Sequence, residues 1–164
     1  PPPVDFITGK WYITHSTLPI WRDKRNVTIT YTLKEDTKNG NAIPRLDDVV
    51  EFQTLTGEKI KQVKGTQLER DPEGKSGASW NWQGKGLIKV ASAHWEVLGW
   101  GGETEDDQWM VTYFVKTVFT PEGMNVYSRR PGGTNDELLD GIQKALLRTG
   151  HVNIGKLATE IYEV

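Results

Sequence analysis

The sequence predicts an all-β protein: an eight-stranded antiparallel up-and-down barrel, with one C-terminal α-helix packed on its wall and a short final strand. Three observations carry that expectation. Strand-like segments follow one another through the chain, with a turn signal roughly every ten to fifteen residues. Gly9-Lys10-Trp11-Tyr12 opens the series and Tyr127-Ser128-Arg129-Arg130-Pro131 closes it. One clean helix signal follows. No repeat, linker or low-complexity stretch divides residues 1–164, which read as one barrel domain.

The elements follow in order. Val27 to Leu33 alternates apolar residues with Thr, which predicts a half-buried strand with Val27, Ile29, Tyr31 and Leu33 inward. Residues 34–41 are polar and contain Asn39-Gly40, a strong hairpin signal. Residues 47–54 and 59–69 read as two strands around a turn at Thr56-Gly57-Glu58, and 71–77 as a loop. Residues 78–82 and 86–92 read as halves of one strand bent at Gly84 and Gly86, with 94–100 as the next strand. Residues 107–120 give the longest strand signal. With Lys116 facing out, alternation sends Trp109, Val111, Tyr113, Val115 and Thr117 inward, and Met110, Thr112 and Phe114 outward. The chain turns at Pro121-Glu122-Gly123 and returns over 124–129. Thr134-Asn135-Asp136-Glu137 matches a capping box, and Leu138, Ile142, Ala145, Leu146 and Thr149 recur at helical spacing. Gly150 suits a terminator, and residues 158–164 read as the last strand.

Composition excludes several functions. The net charge is −2, with 20 basic and 22 acidic residues and no basic block, which argues against a nucleic-acid partner. No stretch approaches the roughly 18 apolar residues of a transmembrane helix. The absence of cysteine rules out disulfides and thiolate chemistry. Together with a start, Pro1-Pro2-Pro3, that lacks a signal-peptide pattern, it favours a cytoplasmic setting. Oligomeric state is not legible. Seven tryptophans need a large core or a large pocket to bury them.

Three segments, in order, resemble the lipocalin family within the wider calycin group, and the tail looks most like the bacterial lipocalins. Gly9-Lys10-Trp11 matches the Gly-x-Trp signature. Thr104 and Trp109 match the ends of the Thr-Asp-Tyr-plus-aromatic motif, while Glu105 to Gln108 depart from it. Met124 to Pro131 matches the hydrophobic run that ends Ser-Arg-x-Pro before a helix. The resemblance implies a hollow barrel closed at one end by Gly9, Trp11 and Arg129, with a small apolar ligand inside. A guanidinium stacked on an indole contributes roughly 1–2 kcal/mol when desolvated.

By alternation the candidate ligand wall is Ile13, His15, Val27, Ile29, Tyr31, Ile88, Val90, Trp109, Val111, Tyr113 and Val115, with Trp95 and Trp100 as further candidates. Candidate acid or base groups are His15, His94, Glu96 and Tyr113. His94 and Glu96 are two apart on one strand face. They supply only two local ligands, so no metal site is expected, and no motif calls for a cofactor. The reading is a binding protein for a hydrophobic molecule of fatty acid, terpenoid, polyketide or pigment type. The alternative is a cofactor-free isomerase or cyclase that folds a reactive substrate in the same cavity.

Overall fold

A computed structural model of the chain describes residues 1–38, 41–70 and 77–164. The turn at Asn39-Gly40 and residues 71–76 of the expected loop lie outside the described residues. A short helix, α1 (Val4–Ile7), precedes strands β1 (Gly9–Ser16), β2 (Lys24–Lys38), β3 (Asn41–Thr54), β4 (Lys61–Glu69), β5 (Ser79–Gly84), β6 (Ser92–Gly101), β7 (Trp109–Phe114) and β8 (Gly123–Ser128). Helices α2 (Asp136–Arg148) and α3 (Val152–Thr159) and the strand β9 (Tyr162–Glu163) complete the chain.

Each of β1 to β8 pairs antiparallel with the next. β1 also pairs with β8, so the sheet closes into the expected eight-stranded barrel and leaves no edge within it. β9 adds to β1 with Glu163 opposite His15. Up-and-down order puts the 17–23, 55–60, 85–91 and 115–122 connections at one end and α1 at the other.

The end beside α1 is sealed by the pair the sequence singled out. The Arg129 guanidinium carbon lies 3.7 Å from the centre of the Trp11 ring. Arg129 donates to the carbonyls of Lys10 (2.9 Å), Phe6 (2.9 Å) and Thr8 (2.7 Å), and to Gln108 Oε1 (3.1 Å). The Trp11 indole N–H donates to Ile7 O at 2.9 Å. Gly9, at φ +90°, is needed because a Cβ there would touch Arg129 Nη1 at 3.0 Å. α1 was not expected. Its four residues are too few to show a period, yet Phe6 and Ile7 are buried as the plug.

Two apolar layers flank the wall. Inside lie Trp11, Ile13, Ile29, Tyr31, Leu46, Trp80, Trp95, Met110 and Tyr127. Outside, Val111, Met124 and Val126 pack under Ile142 and Leu146 of α2 and Leu157 and Ala158 of α3. α2 is capped by Asn135, whose side chain accepts from the Leu138 N–H at 2.8 Å, one residue later than the capping box placed it. Gly150 follows at φ +72°, as a terminator should.

Three strand limits and one facing need correction. Residues 158–159 belong to α3, not to the final strand, because Ile154, Leu157, Ala158 and Ile161 at helical spacing pack on the wall. The supposed bent strand is the β5–β6 hairpin: β5 ends at Gly84, where a Cβ would meet the Ile88 carbonyl, and Gly86 turns the chain at φ +65°. The long 107–120 signal shortens to β7, followed by a connection. Leu33 is 40% exposed rather than inward, because Tyr31, opposite Gly9, is the last β2 residue that β1 covers.

Candidate ligand-binding cavity

The barrel is not filled by its tryptophans. A cavity of about 380 Å³ remains inside, within the range of small-molecule sites. Ile13, Ile29, Val50, Phe52, Trp95 and Phe114 form its walls. Leu18, Ile20, Trp21, Ile88 and Phe119 stand at the end away from Trp11 and Arg129.

Alternation on β3 sends Leu46, Asp48, Val50 and Phe52 to one face, and that face lines the interior. Asp48 is therefore a carboxylate in an apolar wall, 1% exposed. Its Oδ1 accepts from Gln67 Nε2 at 3.0 Å and Trp82 Nε1 at 3.1 Å. Gln67 Oε1 in turn accepts from Trp95 Nε1 at 2.9 Å. Asp48 Oδ2 has no hydrogen-bond partner among the described residues. Burial pushes the Asp48 carboxyl up to about 6, against the opposing pull of the Gln67 and Trp82 hydrogen bonds.

A second polar group sits beside the carboxylate, on β2, where Tyr31 is the ladder partner of Asp48. Tyr31 hydrogen-bonds to Tyr127, and burial raises both phenols, so both stay protonated near neutral pH. The Tyr127 hydroxyl also accepts from Asn125 Nδ2 at 3.1 Å, and Asn125 Oδ1 accepts from Ser16 Oγ at 2.6 Å. Trp21 lines the cavity and its Nε1 has no partner among the described residues. The cavity therefore pairs one unused acceptor, Asp48 Oδ2, with one unused donor, Trp21 Nε1. Buried polar atoms left in that state mark places that a ligand or a water completes.

The expected lining divides. Ile13, Ile29, Tyr31, Ile88 and Trp95 do line the cavity; Val27 is buried in the inner core beside it. His15 does not. A bulge between Ile13 and His15 places His15 opposite the outward Val126 and Ser16 opposite the inward Asn125, so the parity of β1 flips there. His15 Nδ1 lies 3.1 Å from Thr14 Oγ1, and burial lowers its pKa while Glu163 and Asp136 oppose that.

Trp109, Val111 and Tyr113 face outward, toward the helices. Met110, Thr112 and Phe114 face in, opposite Tyr127, Asn125 and Gly123. The parity was inverted because α2 and α3 cover this part of the wall, which leaves β7 apolar on both faces. Lys116, used to set the phase, lies beyond the strand. Val115 and Val90 are exposed on the connections. Trp100 packs on Phe6 at 4.9 Å, at the closed end.

The remaining acid–base candidates also lie outside. His94 and Glu96 form an outer-face pair, Nε2 to Oε1 3.1 Å, with His94 Nδ1 3.0 Å from Asn81 Oδ1. The Tyr113 hydroxyl donates to Glu122 Oε2 at 2.7 Å, and burial with that bond pushes its pKa up to about 12. Among the described residues no three His, Asp or Glu side chains gather to hold a metal. Sequence reasoning missed Asp48, Gln67 and Trp82. The signal for Asp48 was present: it shares the even-numbered face of β3 with Leu46, Val50 and Phe52.

A closed barrel with this sealed foot, a trailing helix on its wall and an apolar interior is the lipocalin fold of the calycin group. Solved structures agree. The chain superposes on lobster apocrustacyanin A1 with a TM-score of 0.63, at 12% identity over 98% of this chain and 77% of that one. It matches the possum milk whey lipocalin trichosurin, solved with bound 4-ethylphenol, with a TM-score of 0.56, at 8% identity over 96% and 95%. Among curated proteins it is 26% identical to botcinic acid biosynthesis cluster B protein 12 of Botryotinia fuckeliana (strain B05.10), over 98% of this chain and 73% of that protein. No protein-family model matches the chain.

Proposed function

We propose that this protein binds one small, mainly apolar molecule inside the barrel, and that it does so within small-molecule biosynthesis. The cavity carries this reading: it is closed at the Trp11–Arg129 end, apolar along its walls and supplied with one unused donor and one unused acceptor. Burial of a ligand's apolar surface supplies affinity, and Asp48 and Trp21 select its polar groups. A ligand of polyketide, terpenoid, fatty acid or pigment type that carries both a hydroxyl and a carbonyl suits that pair. The name of the botcinic acid cluster relative supports the biosynthetic setting, and the 4-ethylphenol bound to trichosurin supports a small ligand in this fold.

Titration with the apolar fluorophore N-phenylnaphthylamine is expected to saturate at one probe per chain, with energy transfer from Trp95. No saturable binding would remove the reading. Native mass spectrometry of protein from its own source then identifies the natural ligand.

Asp48 favours a second reading, the cofactor-free isomerase or cyclase. A carboxyl pushed up to about 6 in an apolar cavity wall, beside the protonated Tyr31 and Tyr127 phenols, is suited to move a proton on a bound carbonyl compound. The reading places that role on Asp48 and not on His15, His94, Glu96 or Tyr113. If the ligand found by mass spectrometry is turned over, Asp48→Asn should bind it and stop the reaction, whereas His94→Ala should do neither.

A further inference from the structure

The end of the barrel away from Arg129 gathers most of the exposed large apolar side chains among the described residues. Each of its four connections exposes apolar side chains: Ile20 on 17–23, Ile60 on 55–60, Leu87 on 85–91, and Val118 with Phe119 on 115–122. Leu87 and Val118 are almost wholly exposed. These side chains stand on separate loop tips around one opening, because Ile20, Ile88 and Phe119 all line the cavity. The same connections carry five basic residues, Arg22, Lys59, Lys85, Lys89 and Lys116, against three acidic ones, Asp23, Glu58 and Glu122. The opposite end carries exposed Glu103, Glu105 and Asp106 on the β6–β7 connection. The four mouth connections therefore carry a net excess of two positive charges in a chain whose net charge is −2.

We propose that the mouth docks on an anionic lipid bilayer, its loop-tip apolar side chains entering the interface and its lysines facing the headgroups. Apolar loop-tip side chains among a net excess of basic groups match such a surface in both terms, area and charge. A protein partner would more commonly meet a packed apolar patch with a polar rim; here the apolar groups are scattered singly over four loops. Docking in this orientation opens the cavity toward the membrane, where apolar molecules concentrate.

Co-sedimentation with sucrose-loaded vesicles tests it. Phosphatidylcholine vesicles containing about 30 mol % phosphatidylglycerol are expected to pellet the protein at least tenfold more than phosphatidylcholine alone, and about 0.5 M salt should release it. The pair Leu87→Asp with Val118→Asp, and separately Lys89→Glu with Lys116→Glu, should each cut pelleting about tenfold. These four side chains are exposed and lie outside the cavity, so unchanged N-phenylnaphthylamine binding checks that each variant is folded. Protein that stays in the supernatant with both vesicle types overturns the proposal. Equal pelleting by both, or by wild type and variants, does so as well.

Discussion

Gly65 stands directly across the β3–β4 ladder from Asp48, and its missing side chain is what lets the Trp82 indole reach the carboxylate. A Cβ on Gly65 would fall 2.7 Å from Asp48 Oδ1 and closer still to Trp82 Nε1. The substitution Gly65→Ala must therefore push the indole away and break that hydrogen bond. Loss of a donor to a buried carboxylate costs about 2 kcal/mol. We expect a stability loss of that size in urea unfolding, a shift in Trp fluorescence, and an Asp48 pKa above its wild-type value by NMR titration.

Asp48 itself sets a pH dependence of unusual sign. Its carboxyl titrates at about 6 in the folded protein against the ordinary 3.8 of an exposed aspartate, so between these the folded state holds the proton and the unfolded state does not. Stability then falls as pH rises through that window and levels off above it, by about 3 kcal/mol in total. Asp23 and Asp47, whose pKa values are lowered by Lys24 and Lys85, lose their contribution only below the window. Asp48→Asn keeps the shape and removes the titration. Its stability relative to wild type should rise from about pH 4 to pH 7; a flat difference in urea midpoints would contradict the assignment.

How much of this was legible depends on what each residue faces. Trp11 and Arg129 could be read because their motif sits at a fixed place in a known pattern and their contact is local to the barrel foot. Ile29 and Tyr31 could be read because β2 has Thr on its outer face, so the period of two is visible. β7 could not, since Val111 packs on helices while Met110 packs inside, and both sides are oily. His15 failed for a different cause: a single bulge, with no mark in the sequence, reversed the strand's phase. Asp48 belongs to no motif; its only mark in the sequence is that it interrupts the apolar face formed by Leu46, Val50 and Phe52.

The seal at the foot predicts a lysine that does not substitute for an arginine. Arg129 satisfies three backbone carbonyls at once, on Phe6, Thr8 and Lys10, while it covers Trp11. Arg129→Ala leaves these carbonyls unpaired and is expected to cost about 3 kcal/mol. Arg129→Lys should recover less than half of that, because an ammonium cannot spread its donors over a planar fork. Thermal unfolding of the two variants side by side decides it; full rescue by lysine would mean that charge alone holds the plug.

The division between inner and outer layers predicts that stability and binding separate. Val111 is 1% exposed but lies under α2 and α3, outside the cavity. Val111→Ala should cost about 1–2 kcal/mol through lost packing and leave N-phenylnaphthylamine affinity within about twofold of wild type. Ala93 lines the cavity from β6, between His94 on the outer face and Ser92 at the strand start. Ala93→Phe fills part of the about 380 Å³ available and should weaken the same probe at least about tenfold, with a smaller change in unfolding midpoint than Val111→Ala causes. Were Val111→Ala to abolish probe binding while Ala93→Phe left it unchanged, the ligand would sit beneath the helices rather than within the barrel.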